Sequence, residues 1–156
     1  MNKISNLVIG QGLGPIKFGM TRNEIIELIG KPDEEETEEN GDDKILTMFY
    51  DNILTDFTLE LFEGDDENGE DVYRLTSLLC TNPEYTLDNK IHFGDTEQQF
   101  VKYTKSLKAA DADIQVDQDT KERFLYYDDL GLMAIFDEEG LSTIQLEYWD
   151  DDEPEE

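Results

Sequence analysis

The segment Ile16-Lys17-Phe18-Gly19-Met20-Thr21 returns 75 residues later as Ile91-His92-Phe93-Gly94-Asp95-Thr96. Isoleucine, phenylalanine, glycine and threonine hold the same places in both copies. A segment that recurs with the same kinds of element after each copy is typical of an internal repeat. We therefore predict that the chain contains two copies of one structural unit.

A helix is predicted to start directly after each copy of this segment. Thr21 with Glu24, and Thr96 with Gln99, have the form of a capping box, in which two side chains satisfy free amides at a helix start. The apolar residues that follow recur at helical spacing. They are Ile25, Ile26, Leu28 and Ile29 after the first copy and Phe100, Val101, Tyr103 and Leu107 after the second.

The ends of the two helices are predicted from different signals. Gly30 and Pro32 end the first helix, because glycine tolerates the left-handed cap and proline cannot continue a helix. The second helical pattern runs to about Ala110.

Three strand-like segments follow each helix. Turn-rich segments such as Asp51-Asn52 and Asp128–Gly131 separate them, and links this short favour antiparallel hairpins. The six predicted strands are Lys44–Asp51, Thr55–Phe62, Val72–Thr81, Lys121–Tyr127, Leu132–Asp137 and Ser142–Trp149.

The predicted fold class is therefore α+β, with two tandem α-β-β-β units, an antiparallel sheet and the helices packed on one face. We assign residues 1–83 to the first unit, 84–149 to the second and 150–156 to an acidic tail. Each half is too small to bury much apolar surface alone, so we expect both to share one compact domain.

The charge of the chain is extreme, with 40 acidic and 12 basic residues and a net charge of −28. Half of the acidic residues lie in Asp33–Asp43, Glu63–Asp71 and Asp150–Glu156, which contain no basic residue. Such runs are typical of solvated loops and tails, and we interpret them so. A surface this negative repels nucleic acid and anionic membranes and attracts basic proteins or cations.

The cellular location is predicted from what the sequence contains. Cys80 is the single cysteine, so an intramolecular disulfide is excluded. The apolar run Leu7-Val8-Ile9 is too short for the core of a signal peptide, and no stretch approaches transmembrane length. We therefore expect a cytoplasmic protein without a membrane partner.

Residues 14–33 carry a resemblance to a known superfamily. The run from Gly14 to Thr21, followed by Glu24 to Asp33, is similar to the opening of the superfamily that includes the β-lactamase inhibitor protein and the small lipoprotein of the outer-membrane β-barrel assembly machine. The match is schematic over residues 91–107. The resemblance implies helix-plus-sheet units, paired in the inhibitor, on a scaffold that binds other proteins, often through an open sheet face. This chain lacks the lipoprotein's export signal and lipidated cysteine, and the inhibitor's disulfides, so those two functions are not implied.

The residues that most often carry catalysis have structural interpretations here. His92 is the single histidine and lies in the repeated segment, so we expect an exposed position at a strand end. Cys80 follows Leu78-Leu79, which favours a small buried hydrophobe. The segment Gly10–Gly14 has GxGxG spacing and precedes Pro15, which favours a plain loop over a dinucleotide site. We predict no catalytic residue and no cofactor, and we expect that the protein is not an enzyme.

The segment Asp65–Asp71 is a candidate calcium-binding loop, because it is rich in oxygen ligands. An EF-hand loop needs aspartate at its first position, glycine at its sixth and glutamate at its twelfth. Counted from Gly69, the first and twelfth positions hold Gly64 and Leu75. We therefore predict no metal site, and a calcium- or small-ligand-binding module remains an alternative.

Partner binding is predicted on the polar faces of two strands. Each of these faces ends in one aromatic residue, Phe62 or Trp149, which either covers the edge of the core or anchors a partner while nearby acids steer it. The faces follow from the alternation of side chains along a strand. The predicted partner-binding residues are Thr58, Glu60, Phe62, Thr143, Gln145, Glu147 and Trp149.

The leading hypothesis for function is a cytoplasmic inhibitor or immunity protein that neutralises a basic toxin or enzyme. Its carboxylates would cover the lysines and arginines that otherwise bind phosphates, with fast and salt-sensitive association. The alternative is a structural or adaptor domain whose acidity serves solubility. The expected partner is a basic protein, and the sequence carries no signal for a particular oligomeric state.

Overall fold

The computed structural model describes residues 6–41, 43–64 and 68–148. Over these residues the chain is a mixed α+β fold, made mostly of strands, with two helices and two sheets. The elements in chain order are β1 (Asn6–Val8), β2 (Gly12–Leu13), β3 (Ile16–Lys17), α1 (Arg22–Ile29), β4 (Glu34–Asn40), β5 (Asp43–Tyr50), β6 (Thr55–Phe62), β7 (Val72–Cys80), β8 (Thr86–Leu87), β9 (Ile91–His92), α2 (Glu97–Ser106), β10 (Asp113–Val116), β11 (Arg123–Tyr127), β12 (Leu132–Asp137) and β13 (Gly140–Glu147).

The larger sheet contains eight strands in the order β4-β5-β6-β7-β13-β12-β11-β10. Every neighbouring pair in it is antiparallel. Strands β4 to β7 come from the first half of the chain and β10 to β13 from the second. Because β7 pairs with β13, the two halves share one continuous antiparallel sheet.

The smaller sheet holds five short strands in the order β3-β2-β1-β8-β9. Its β1 and β8 strands are parallel, which brings the beginning of the chain next to the start of its second half. The Asn6 side-chain oxygen accepts hydrogen bonds from the Thr86 hydroxyl at 2.9 Å and the Asn89 amide at 2.8 Å. This sheet is not predicted from the sequence, because strands of two or three residues carry almost no periodicity.

The core lies against one face of the larger sheet. Successive strands there place fully or almost fully buried side chains opposite one another, namely Met48, Phe57, Leu78, Leu146, Leu132 and Tyr127. Helix α2 contributes Phe100, whose ring lies 5.3 Å from that of Phe136 and 6.0 Å from that of Tyr127. Helix α1 contributes Ile25, which is also fully buried.

Both predicted capping boxes are confirmed. The Thr21 hydroxyl accepts from the Glu24 amide at 3.2 Å, and the Glu24 carboxylate accepts from the Thr21 amide at 2.9 Å. The same exchange joins Thr96 and Gln99 at 3.1 and 2.8 Å. These local contacts satisfy free amides at each helix start, which is why the sequence locates the starts accurately.

The second helix is shorter than predicted, ending at Ser106 and not near Ala110. The Thr104 carbonyl accepts from the amides of both Leu107 and Ala109, and Lys108 adopts a positive φ of 62°. A left-handed residue at this point ends the helix.

The interpretation of Asp33–Asp43 as a solvated loop is wrong, because Glu34–Asn40 forms β4. This strand pairs with β5 along its whole length, from Glu34 opposite Phe49 to Asn40 opposite Asp43. Glutamate is a poor strand former, and here it occupies an edge strand of the larger sheet. The charge there opposes the addition of a further strand.

The prediction of three strands per half is also wrong, because each half supplies four strands to the larger sheet. The additional ones are β4 and the four-residue β10. The six predicted strands are confirmed, with ends that differ by one or two residues. Strand β11 starts at Arg123, and β13 covers Gly140–Glu147.

The two copies of the repeated segment make the same backbone contacts with the larger sheet. Each glycine donates to a leucine carbonyl, and the amide of that leucine donates to the carbonyl of the residue after the glycine. The four hydrogen bonds run from Gly19 to Leu75 at 2.9 Å, from Leu75 to Met20 at 2.8 Å, from Gly94 to Leu141 at 2.9 Å and from Leu141 to Asp95 at 3.0 Å.

A β-bulge also recurs in the strand that follows each contact. Thr76 is the extra residue where β7 pairs with β6, and Ser142 is the extra residue where β13 pairs with β12. The Thr76 hydroxyl donates to the Glu60 carboxylate at 3.1 Å and lies 3.5 Å from the Thr58 carbonyl, whereas the Ser142 hydroxyl donates to the Ile135 carbonyl at 3.2 Å. Bulges of this kind re-aim the side chains beyond them.

Candidate protein-binding face

One row of side chains crosses the face of the larger sheet that points away from the core. Adjacent residues of a strand point to opposite faces, so these residues lie on the other side from buried neighbours such as Phe57 and Leu78. We call this side the open face. The row takes one residue from each strand, each directly opposite the next, in the order Glu34, Phe49, Asp56, Leu79, Gln145, Met133, Tyr126 and Asp113.

The open face carries apolar side chains that do not serve the core. They are Ile45, Phe49, Leu79, Phe124, Tyr126, Met133 and Ile135, and all are partly buried. Over the residues that the structure describes, the buried cluster and the side chains packed on it include none of them. The rings of Phe124 and Tyr126 stack 6.5 Å apart. Four members of this apolar band are direct cross-strand neighbours, namely Phe124 with Ile135 and Tyr126 with Met133. A contiguous apolar group on a sheet surface is typical of an interaction site.

Carboxylates surround this apolar band, and one of them, Asp56, lies within it. Cross-strand pairing places Glu34, Glu36, Glu38, Asp56, Glu60, Asp113 and Glu147 on the open face. Arg74 is a basic residue of the same face and stands opposite Glu60. The edge strand β4, which the sequence analysis treats as a loop, thus adds three glutamates to the rim of the face.

Six of the seven predicted partner-binding residues lie on the open face. Thr58, Glu60 and Phe62 extend along β6, while Thr143, Gln145 and Glu147 extend along β13. Strand β7 separates the two sets. Trp149 lies outside the described residues.

Four of these residues line one shallow depression of about 430 Å³. Phe62 at its rim is 40% exposed. Gln145 lies further along β13, where its amide donates to the Glu147 carboxylate at 3.2 Å, and Thr143 lies beyond it. The residues that line the depression are Thr58, Glu60, Phe62, Thr76, Ser77, Glu147 and Tyr148.

Five residues at the centre of the open face are not predicted from the sequence, namely Phe49, Asp56, Phe124, Tyr126 and Met133. A signal for two of these residues is present in the run from Arg123 to Tyr127. Apolar side chains occupy successive positions there, so both faces of the strand are apolar and one of them faces away from the core. For the others, the pairing of β5 and β12 must be known first.

Asp56 has an unusual electrostatic setting on this face. Burial raises the pKa of its carboxyl group, and the negative charge of Asp51 raises it further. Its cross-strand neighbours are Phe49 and Leu79, and neither can hydrogen-bond a carboxylate through its side chain. Because a desolvated carboxylate favours its neutral form, ionised Asp56 is a cost to the folded protein.

The expected positions of His92 and Cys80 are confirmed. His92 ends β9 with a side chain that is 65% exposed, and its backbone amide donates to the Asp95 carboxylate at 2.8 Å. Cys80 is fully buried, and burial raises the pKa of its thiol. A raised pKa disfavours the thiolate, which is the reactive form of cysteine.

The glycine-rich segment 10–14 forms a turn and then β2, so the prediction of a plain loop is wrong in part. Gly12 has a φ of 142°, and a Cβ atom built there would lie 2.1 Å from the Ile16 carbonyl oxygen. The glycine thus permits close approach of β2 and β3, as strand glycines often do.

Over the described residues, no three His, Cys, Asp or Glu side chains are grouped so as to hold a metal ion. Asp65, Asp66 and Glu67 of the calcium hypothesis lie outside the described residues, so that hypothesis stays a prediction. The described helices are all too short or too polar to cross a membrane.

Comparison of the chain with protein-family models, with curated proteins and with solved structures gives no significant match. The resemblance of residues 14–33 to the inhibitor and lipoprotein superfamily therefore stays a prediction from the sequence.

Proposed function

We propose that this chain is a non-enzymatic protein-binding module, a cytoplasmic inhibitor or immunity protein that neutralises a basic toxin or enzyme through its open face. The observation that carries the proposal is the apolar band on that face, which among the described residues lies outside the core cluster and has carboxylates at its rim. Interfaces commonly combine an apolar centre with a polar rim.

The charge pattern specifies the chemistry of the partner. A band of Phe49, Leu79, Met133, Tyr126 and Phe124 fits apolar or aromatic side chains of a partner, and the rim fits lysine and arginine side chains around them. The net charge of −28 extends this attraction beyond contact range. The partner is therefore a protein with a basic surface around an apolar patch.

Inhibition follows from occlusion. A partner that uses lysines and arginines to hold phosphates loses access to them when carboxylates pair with those side chains. Long-range attraction between opposite charges accelerates encounter and is screened by salt. The inhibitor therefore needs no catalytic group of its own.

We further propose that the chain is a tandem pair of α-β-β-β-β units, with both helices on the face of the larger sheet that meets the core, which we call the inner face. The recurring glycine-leucine contacts and the recurring bulges support two equivalent units. Contacts from both helices to inner-face residues support the position of the helices. Phe100 of α2 meets Tyr127, and the Gly30 carbonyl at the end of α1 accepts from the Tyr50 hydroxyl at 2.7 Å.

The proposal is tested by capturing partners from lysate of the source cells, at low and at moderate salt, with the whole chain as bait. We expect one basic protein, retained in near-stoichiometric amount at low salt and less at moderate salt. The purified protein is then assayed for its own activity with and without the chain. Retention without loss of that activity supports an adaptor, and absence of any specific protein at either salt contradicts the proposal.

A further inference from the structure

Asp56 occupies a position of the open face that favours apolar residues. It lies between Phe49 of β5 and Leu79 of β7 in the central row, and both of these are partly buried. Leu79 stands opposite Gln145, where the two halves of the sheet meet. On the far side of that pair, the corresponding place in the row is held by Met133. The sheet itself thus accommodates an uncharged side chain at such a position.

The Asp56 carboxylate lacks a counter-charge in the described part of the chain. No hydrogen bond or ion pair joins it to another described side chain, and the charge that acts on it comes from Asp51, which has the same sign. The nearest residue along its own strand on this face is Thr58, which is uncharged. A partly buried carboxylate without a cation is costly, and proteins retain few of them without a reason.

We propose that Asp56 receives a lysine or arginine side chain of the basic partner, with the aliphatic stem of that side chain lying between Phe49 and Leu79. This inference rests on the proposed function and assigns its central polar contact. Lysine and arginine bury their methylene stems on apolar surfaces while the charged end finds an acceptor. A carboxylate already partly desolvated gives a stronger charge-assisted hydrogen bond than one on the solvated rim.

Pairing of Asp56 with a cation of the partner explains why the chain keeps a carboxylate that lowers the stability of the free protein. A carboxyl group whose pKa is higher in the folded than in the unfolded chain lowers stability as the pH rises past its ordinary value of 3.8. Binding of a cation removes that cost, so the free energy is recovered in the complex. Discrimination follows as well, because a partner that places an apolar or acidic group here leaves the carboxylate unpaired.

The first test is thermal unfolding of Asp56→Asn beside the matched variant Asp113→Asn. Asp113 is an exposed carboxylate at the end of the same row. We expect Asp56→Asn to raise the melting temperature at pH 7 by about 2 °C, the shift that a small gain in stability gives in a chain of this length. This rise in melting temperature should disappear at about pH 3, where the wild-type carboxyl group is protonated in the folded and in the unfolded state. A melting temperature that is unchanged or lower at pH 7 overturns the proposal.

The second test uses N-propylguanidinium chloride as the probe, at constant ionic strength, with the amide resonances of the whole chain followed by NMR. We expect saturable shifts at Phe49, Asp56 and Leu79 in the wild type and in Asp113→Asn. In Asp56→Asn we expect these shifts to fall at least about fivefold, as for loss of a charge-assisted contact. Equal shifts in Asp56→Asn, or shifts spread over all exposed acids, contradict a specific cation site.

These tests separate the inference from the proposed function, because neither of them needs the natural partner. If a basic partner binds Asp56→Asn as tightly as the wild type, Asp56 is not its receiving group, while the open face can still be the binding surface. If no basic partner exists, the proposed function fails, and the probe experiment still decides whether the Asp56 site takes a cation.

Discussion

Replacement of Gly140 by alanine is expected to cost about 3–5 kcal/mol of unfolding free energy, in the range reserved for severe backbone strain. Gly140 has a φ of 110°, which L-residues rarely adopt. A Cβ atom there would lie 2.4 Å from the Gly94 carbonyl oxygen and 2.8 Å from that of Asp95. Both atoms belong to the backbone, so no side chain can rotate away. The alanine would therefore separate β13 from the loop that precedes α2.

Urea unfolding of Gly140→Ala measures this effect, and Gly19→Ala is the matched control. Gly19 has a φ of 95°, and a Cβ atom there meets nothing within 4 Å. Gly19→Ala should therefore lose only the unfolding free energy that a positive φ costs an alanine, about 1–3 kcal/mol. Equal losses of unfolding free energy in the two variants would mean that the close approach of Gly140 to the repeated segment adds nothing to the cost of an alanine there.

The second large effect is expected from Phe100→Ala, which should cost about 3–5 kcal/mol, as cavity-forming changes of buried phenylalanine do. Phe100 of α2 is fully buried, and its ring contacts those of Phe136 on β12 and Tyr127 on β11. Neighbouring side chains cannot move far enough to fill the cavity that the ring would leave, because protein interiors are close-packed. The variant therefore weakens the attachment of the helix as well as the core.

The matched control for Phe100→Ala is Phe124→Ala, which removes the same atoms from the open face. We expect the control to cost clearly less than Phe100→Ala, because Phe124 is only partly buried and is not among the described side chains that pack on the core. Urea denaturation midpoints of both variants give the comparison. A larger loss for Phe124→Ala would show that the open face supports the fold and is not held free for a partner.

The helix starts could be predicted from the sequence because their signals are local. A threonine and a Glu or Gln three residues later complete a capping box without help from distant residues. The hairpin strands β5 to β7 and β11 to β13 were also predictable, because strong alternation and turn residues define them. The side-chain faces of β6 followed from the same alternation, with Phe57 and Leu59 inward and Thr58 and Glu60 outward.

Strand β4 could not be predicted, because its residues have a low propensity for strands. Five glutamates in Glu34–Asn40 indicate a solvated loop by charge and by propensity. The strand exists because β5 offers a free edge, and an edge strand keeps charged side chains in water. Edge position is a tertiary property, so the sequence of the segment alone does not contain it. The four-residue β10 is too short to show any period.

The centre of the open face escaped for a related reason. Residues such as Asp56 and Met133 become members of one row only when the pairing of eight strands is known. The bulges at Thr76 and Ser142 change the pairing by one residue in each half. A count of alternating residues from the sequence does not carry across such a change. The strands of the open face are therefore predictable from the sequence, whereas the row of side chains that crosses them is not.

The central claim is that the open face binds a basic protein, and the most direct measurement is the dissociation constant of the captured partner for two variants. Tyr126→Ser removes an aromatic side chain from the centre of the open face, and Leu107→Ser removes an exposed apolar side chain just after α2. We predict at least about tenfold weaker binding for Tyr126→Ser, as for a central interface aromatic, and less than about twofold change for Leu107→Ser. Wild-type affinity in Tyr126→Ser, together with loss of binding in Leu107→Ser, would contradict the claim and place the partner elsewhere.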